Sequence, residues 1–363
     1  MTLGLASLLV YIAICSMQTY AYGNYFTDYS IDINNSSVLS KNSDKNDPEV
    51  TPCPKASDIL PCVCHFNQDH MYMDIDCSGV INDSDFARVF IQIIPFRRFR
   101  KLTIGPKVMV LSAGIFDDIT FEQITEHGGT LEIVETLVLE PSINTLKEVD
   151  FSNNRLIEFP FSIMHQFEVL EVLHLQDNQY ESVKDLHSPS VKDLSLGSDK
   201  MTDLPVFQAN VLPALEVLSI VDSPIQNILP GSFSNLESLQ QLTLTGLELF
   251  HIVSETFTED ECFTSLSLIN SHIKQIDPNA IHFCPNMTVD VSNNDLILLD
   301  ESTWKPLLEV YGSLDINGNP IWCDCSIAWL VQTSDFQARV IGQCNDGTDF
   351  ADLTPDNFLD CRQ

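Results

Sequence analysis

The sequence predicts an α/β repeat solenoid, a horseshoe with a parallel β-sheet on its concave face and disulfide-bonded N- and C-terminal caps. Three observations predict this fold. An 11-residue apolar pattern recurs every 21 to 25 residues, a second apolar column keeps nearly the same period, and two clusters of four cysteines flank the repeats. One such repeat cannot bury its apolar face alone, so stacking of neighbours is required.

The recurring pattern is L-x-x-L-x-L-x-x-N-x-L, and eight segments fit it from "LKEVDFSNNRL" at residue 146 to "YGSLDINGNPI" at residue 311. Their last positions, spaced by 24, 21, 24, 24, 24, 23 and 25 residues, are Leu156, Tyr180, Met201, Ile225, Leu249, Ile273, Leu296 and Ile321. This is the leucine-rich repeat, whose L-x-L centre forms a short strand with apolar side chains inward and the intervening residues on the concave surface. We expect the repeats to span residues 99–321, irregular up to about 145 and regular from 146.

Two further columns support the repeat register. The convex side of the core is predicted to contain Phe233, Phe257, Ile281 and Trp304, which recur at intervals of 24, 24 and 23 residues. The ninth position carries the asparagine expected there in four repeats, at Asn154, Asn178, Asn294 and Asn319. The middle repeats instead have Asp199, Ser223, Leu247 and Ser271, which predicts looser turns in that region.

The N-terminal segment predicts secretion. Residues 1–21 contain no charged side chain, and their apolar run "LGLASLLVYIAIC" is too short to span a bilayer, as in a signal peptide cleaved after Ala21. Residues 22–52 are rich in Asn, Ser and Asp and are predicted to be a disordered leader. Four N-x-[ST] sequons are glycosylation candidates in a secreted protein, at Asn34, Asn35, Asn82 and Asn286.

The charge balance limits the classes of partner. A formal charge of −33 repels nucleic acid and anionic membranes, and it attracts basic partners or, weakly, divalent cations. No apolar stretch after the signal approaches the length of a membrane span. We therefore expect a secreted, extracellular protein with a protein partner, although the charge alone also serves solubility.

The cysteines are predicted to form disulfide bonds. Loss of Cys15 with the signal leaves ten, in an oxidising compartment. One cluster, in an N-terminal cap over residues 53–98, consists of Cys53, Cys62, Cys64 and Cys77. The other, in a C-terminal cap over residues 322–363, consists of Cys323, Cys325, Cys344 and Cys361.

A zinc site is the alternative for either C-x-C, but it needs free thiolates and usually a wider spacing. Four cysteines allow three pairings, between which the residues alone do not choose.

Cys262 and Cys284 lie 22 residues apart, each just before a strand of adjacent repeats. Neighbouring strands are about 5 Å apart, within reach of a disulfide. We predict a bond between these two repeats, with free thiols as the alternative.

The C-terminal cluster lies in "NPIWCDCSIAWL", which resembles the C-terminal flanking modules of extracellular leucine-rich repeat proteins. This resemblance implies first-to-third and second-to-fourth pairing, that is Cys53–Cys64, Cys62–Cys77, Cys323–Cys344 and Cys325–Cys361. We expect Trp322 and Trp329 to cover the open end of the core there.

A narrower resemblance covers most of the chain. The segments "PCVCHFNQDHMYMDIDCSGV", "GIFDDITFEQI", "FPF" and "WCDC" are similar to an arthropod group of secreted proteins, the one related to the non-catalytic subunit of the oplophorid shrimp luciferase. The resemblance implies a secreted, non-enzymatic, partner-binding protein. It transfers no luciferin-binding residue.

The sequence contains none of the G-x-S-x-G, H-E-x-x-H, P-loop and G-x-G-x-x-G motifs, and its nine histidines are scattered. We therefore predict no catalytic residue, no cofactor and no dedicated metal site. The one dense basic run, "FRRFRK", is read as a strand with Phe96 and Phe99 inward, or else as a processing site.

The concave face is the predicted binding surface. Over eight repeats its positions carry nine acidic residues and two lysines, Lys147 and Lys192, but the repeats that begin at Leu239 and Phe263 contribute no charge. We call the predicted partner-binding residues the neutral window: Ser195, Ser219, Gln241, Thr243, Thr245, Ser267 and Ile269. The alternative is that small polar residues merely suit a curved sheet.

The sequence thus favours a secreted leucine-rich repeat binding protein, an accessory or stabilising subunit for a secreted partner. The alternative function is a soluble innate-immune type receptor that binds microbial ligands on the concave face.

Overall fold

One long β-sheet runs through the part of the chain that the computed structural model describes, which is residues 52–91, 94, 96–205, 207, 210–258 and 262–361. Thirteen strands form it, and all neighbours are parallel except the first antiparallel pair. This confirms the predicted solenoid. The predicted signal peptide, nearly all of the leader, and Asn34 and Asn35 lie outside the described residues.

The described strands are β1 Val63–Asn67, β2 Tyr72–Asp76, β3 Arg98–Thr103, β4 Val110–Leu111, β5 Thr120–Thr125, β6 Ile133–Val134, β7 Glu148–Asp150, β8 Val172–Asn178, β9 Asp193–Ser198, β10 Val217–Val221, β11 Gln241–Thr245, β12 His251–Ile252, β13 Ser265–Ile269, β14 Gln275–Ile276, β15 Thr288–Asp290, β16 Ser313–Asp315 and β17 Val340–Ile341. The α-helices are α1 Ala56–Ile59, α2 Asp83–Ile91, α3 Glu301–Glu309 and α4 Ser334–Gln337. The main sheet has the order β1-β2-β3-β5-β7-β8-β9-β10-β11-β13-β15-β16-β17, with β4-β6 and β12-β14 as separate pairs.

The L-x-L centres form the inner side of this sheet. In β11 and β13, Leu242 pairs in register with Leu266 and Leu244 with Leu268, and all four are fully buried. Alternation along each strand leaves every second side chain on the opposite, solvent-facing side, which we call the concave face. Burial of one leucine contributes about 2 kcal/mol, so the repeated pairs are the main source of stability.

The predicted convex column is buried in the structure. The rings of Phe233 and Phe257 stack at 5.8 Å, and Ile281 and Trp304 continue the column. Most convex segments are turns or short 3₁₀-helices; α3, which contains Trp304, is an exception. This helix begins where the Asp300 carboxylate accepts a hydrogen bond from Thr303 N.

Buried polar side chains link the turns that follow the strands. Asn319 Oδ1 accepts from Leu296 N at 3.0 Å, and its Nδ2 donates to Val291 O at 2.9 Å. Asn154, Asn178 and Asn294 make equivalent bonds. The two serines that replace asparagine each keep a bond to the backbone of the preceding repeat, because Ser223 Oγ accepts from Ser198 N and Ser271 Oγ accepts from Leu247 N.

The assignment of Asp199 to this ladder is wrong. Asp199 is exposed, whereas Ser198 is fully buried and its hydroxyl donates to Tyr180 O at 2.6 Å. The pairing of Asn178 with Ser198 follows a register shift between β8 and β9. With this shift the eighth position of the repeat, rather than the ninth, supplies the buried polar group.

The caps contain four of the five disulfides in the described residues. These bonds join Cys53–Cys64, Cys62–Cys77, Cys323–Cys344 and Cys325–Cys361. The fifth joins Cys262 and Cys284, in successive repeats, with their Cα atoms 5.7 Å apart.

The predictions that Trp322 covers the core and that Phe96 points inward are wrong. Trp329 covers the core, 6% exposed, with Nε1 donating to Leu299 O at 3.2 Å, but Trp322 is 57% exposed. In the basic run, Phe99 is buried within β3, whereas Phe96 precedes that strand and is 42% exposed. Alternation orients side chains only inside a strand, which is why it fails for Phe96.

A candidate partner-binding face on the concave sheet

A row of hydroxyl groups crosses the middle of the concave face. Parallel register places Ser195, Ser219, Thr243 and Ser267 side by side on β9, β10, β11 and β13. These four residues occupy the same position of four successive repeats. Strands in one sheet are about 4.8 Å apart, so the row extends roughly 15 Å.

Six of the seven residues of the neutral window retain solvent access. Gln241 is exposed, and Ser219, Thr243, Thr245, Ser267 and Ile269 are half-buried. Ser195 is the exception, with 8% exposure. It lies in register between His174 and Ser219, and the larger imidazole beside it leaves little room for a partner to reach its hydroxyl.

Two valines that are not among the seven predicted residues adjoin the neutral window. Val217 and Val221 of β10 occupy the same face as Ser219 and are half-buried. With Ile269 they add apolar surface to a region otherwise made of hydroxyl and amide groups. Val217 and Val221 occupy the third and seventh positions of their repeat, which face the concave surface, so their location was predictable from the repeat pattern.

Cations at the N-terminal end of the face are largely paired with carboxylates of neighbouring repeats. Lys147 Nζ lies 2.8 Å from Glu122 Oε2, and Lys192 Nζ lies 2.8 Å from Glu171 Oε1. Arg100 pairs with Asp74 and stacks on the ring of Tyr72, with 4.2 Å from Cζ to the ring centroid. Such exposed pairs add little stability, but they cancel most of the positive charge of the face.

The remaining carboxylates flank the window. Asp290 and Asp315 are in register on β15 and β16, directly beyond Ser267. On the other side, His174 Nε2 lies 3.3 Å from Asp193 Oδ1, and this hydrogen bond raises the pKa of His174 despite its partial burial. The result is an uncharged strip between two regions of negative potential.

Asn286 and Asn82 are both exposed in the structure. Asn286 precedes β15, next to the C-terminal side of the window. Asn82 Oδ1 accepts from Asp85 N at 2.9 Å at the start of α2, far from the window in sequence.

Within the described ranges, no three His, Cys, Asp or Glu side chains converge as a group able to hold a metal ion. Nor does any helix there have the length and apolar character needed to cross a membrane.

Comparison with known proteins agrees with the repeat fold. The family model described as "Leucine rich repeat" matches residues 189–249. The chain is 28% identical over 314 residues to the Oplophorus-luciferin 2-monooxygenase non-catalytic subunit of Oplophorus gracilirostris, covering 84% of this chain and 87% of that protein. The chain thus contains leucine-rich repeats and is similar to that subunit.

Other relatives match shorter regions. Toll-like receptor 9 of Mus musculus is 26% identical over 137 residues, which are 38% of this chain and 13% of the receptor. Among solved structures, human 5T4 superposes with a TM-score of 0.44 at 16% identity, covering 84% of this chain and 98% of that one.

Proposed function

We propose that the chain is a secreted, non-enzymatic binding protein that holds a basic protein partner on the neutral window, as an accessory or stabilising subunit. One observation carries the proposal. The uncharged, partly apolar strip of β10, β11 and β13 lies between carboxylates, on a face whose cations are mostly paired. An uncharged strip can be desolvated at low cost, while the flanking carboxylates attract a positively charged partner.

Three further observations support it. Five disulfide bonds are typical of an oxidising compartment and therefore of secretion. The similar Oplophorus protein is named a non-catalytic subunit. The solenoid offers a broad face to another protein, as repeat proteins commonly do.

The test compares partner capture by matched variants. Thr243→Arg plus Ser267→Arg introduces two long cations into the centre of the window. The control, Ser78→Arg plus Ser334→Arg, changes the net charge equally at exposed positions outside the window. Each protein is immobilised and exposed to native secretions, and retained material is identified by mass spectrometry.

We expect the wild type and the control to retain one small basic protein in stoichiometric amount, and the window variant to lose it. Equal retention by all three proteins would refute the proposed location. Retention of glycan or cell-wall material would instead favour a soluble microbial receptor, the alternative to which the limited similarity to Toll-like receptor 9 points.

A further inference from the structure

A groove interrupts the lateral surface beside the shortest repeat. It has a volume of about 790 Å³ and runs from Val134 to Lys200 along the turns that follow β6, β7, β8 and β9. Only 21 residues separate Tyr180 from Met201, whereas neighbouring repeats have 23 to 25. The connection that follows Tyr180 is correspondingly short, and the groove lies beside it.

The floor of the groove is aromatic. The rings of Phe159 and Phe161 lie 5.0 Å apart, and those of Phe161 and Tyr180 lie 5.7 Å apart. All three side chains are nearly buried, and Ile157 beside them is 46% exposed. An apolar side chain placed here would be removed from water on one face.

Carboxylates line the walls. Glu135, Glu158, Glu181 and Asp185 all contribute to the lining and are exposed, against one lysine, Lys200. Glu135 Oε2 accepts from Ala113 N, whereas within the described ranges no ion pair involves Glu158, Glu181 or Asp185. The walls therefore complement a cationic ligand.

Main-chain groups that have no backbone partner within the described part of the chain border the groove. A second column of β-pairing follows the main sheet, where β4 pairs with β6 and Ile133 bridges to Glu158. It resumes with β12 and β14 and a bridge from Phe257 to Ile281. The column is interrupted from Glu181 until β12, and among the described residues neither Glu181 nor Ser182 makes a backbone–backbone hydrogen bond.

We propose that this groove binds an extended basic segment of a protein partner by strand addition at Glu181 and Ser182. Main-chain groups of the segment pair with the open edge, as in other cases of β-augmentation. Alternate side chains then meet the aromatic floor and the carboxylates of the walls. The site is separate from the neutral window, so one site can exist without the other.

The test uses a defined probe, a fluorescein-labelled hexapeptide of alternating arginine and leucine, and measures Kd by fluorescence anisotropy with the full chain. Glu158→Gln plus Glu181→Gln removes two wall charges. Glu140→Gln plus Glu168→Gln removes two charges from exposed positions outside the groove and is the matched control. Ser162→Trp fills the groove with a large side chain from an exposed lining position.

We expect the wall variant to bind the peptide about tenfold more weakly than the control, which should match the wild type. Ser162→Trp, and a peptide methylated on alternate backbone nitrogens, should each weaken binding at least as much. Equal Kd values for the wall variant and its control, or full binding by the methylated peptide, would overturn the proposal.

Two further measurements separate other occupants. Thr243→Arg plus Ser267→Arg should leave the Kd of the peptide unchanged. Failure of the proposed binding at the neutral window can therefore be distinguished from failure of the proposed binding in the groove. A concentration-dependent dimer that Ser162→Trp abolishes would show that a second copy fills the groove and would also overturn the proposal.

Discussion

The carboxyl group of Glu126 and the α-carbon of Gly129 occupy adjacent space in the core, so that a β-carbon on Gly129 would lie 1.7 Å from Glu126 Oε1. Glu126 is 1% exposed, and neither carboxyl oxygen has a hydrogen-bond partner among the described residues. It occupies the inward position taken by Phe151 in the next repeat. Burial raises its pKa from about 4.5 to about 7, the nearby side-chain amide of Asn154 partly opposes this rise, and the charge of Asp150 adds to it.

This relationship predicts pH-dependent stability. Because the folded state holds the proton of Glu126 more tightly than the unfolded state, its contribution to the free energy of unfolding falls as pH rises from about 4.5 to about 7. Glu126→Gln should match the wild type near pH 4.5 and exceed it by about 2 kcal/mol at pH 8. Urea denaturation at several pH values measures the difference, and Glu140→Gln, at an exposed site, should not change with pH in this way.

The buried polar ladder predicts opposite outcomes for two adjacent residues. Ser198→Ala leaves Tyr180 O without its hydrogen bond in the core and should lower the free energy of unfolding by about 1–2 kcal/mol. Asp199→Ala, at an exposed site, should change it by less than about 0.5 kcal/mol. Equal effects in urea denaturation would contradict the assignment of Ser198 to the ladder.

The C-terminal cap offers a second matched pair. Trp329→Ala removes a buried ring and its bond to Leu299 O and should destabilise the protein by about 3–5 kcal/mol. Trp322→Ala should cost at most about 1 kcal/mol, since that ring is mostly exposed. Differential scanning calorimetry of both variants distinguishes them, and a larger effect at Trp322 would reverse the assignment.

The bond between Cys262 and Cys284 should stabilise the middle of the solenoid. Replacement by Cys262→Ser plus Cys284→Ala should lower the free energy of unfolding by about 2–4 kcal/mol, mainly because the unfolded chain gains freedom. Alkylation provides the control. The mature wild-type protein, denatured without reduction, should take up no thiol reagent by mass spectrometry, and any uptake would reveal a free thiol.

Glycosylation is predicted at the two exposed sequons. Glycosidase treatment of protein secreted from eukaryotic cells should reduce its mass by two glycans from the described region. Ser84→Ala should remove one glycan and keep both hydrogen bonds between Asn82 and Asp85, so stability should hold. Thr288→Ala should remove the other without altering Asn286, and an unchanged mass in either variant would exclude that site.

The repeat period is enough to predict the solenoid, because a fixed period leaves one way to bury all the apolar faces. It also located the hydroxyl row, since positions that share a register within the repeat become neighbours in a parallel sheet. The same reasoning from position in the repeat predicted the disulfide bond between Cys262 and Cys284. The cap pairings rested on family resemblance, because spacing alone leaves three pairings open.

Features that depend on departures from the period are seen only in the folded chain. A register shift between β8 and β9 moved the buried polar group from Asp199 to Ser198, and the lateral groove lies beside the short connection after Tyr180. Exposure of Trp322 and burial of Ser195 likewise depend on neighbours that lie far away in sequence or one strand across. A repeat pattern specifies what successive units share, whereas each local deletion is accommodated by packing that the pattern does not contain.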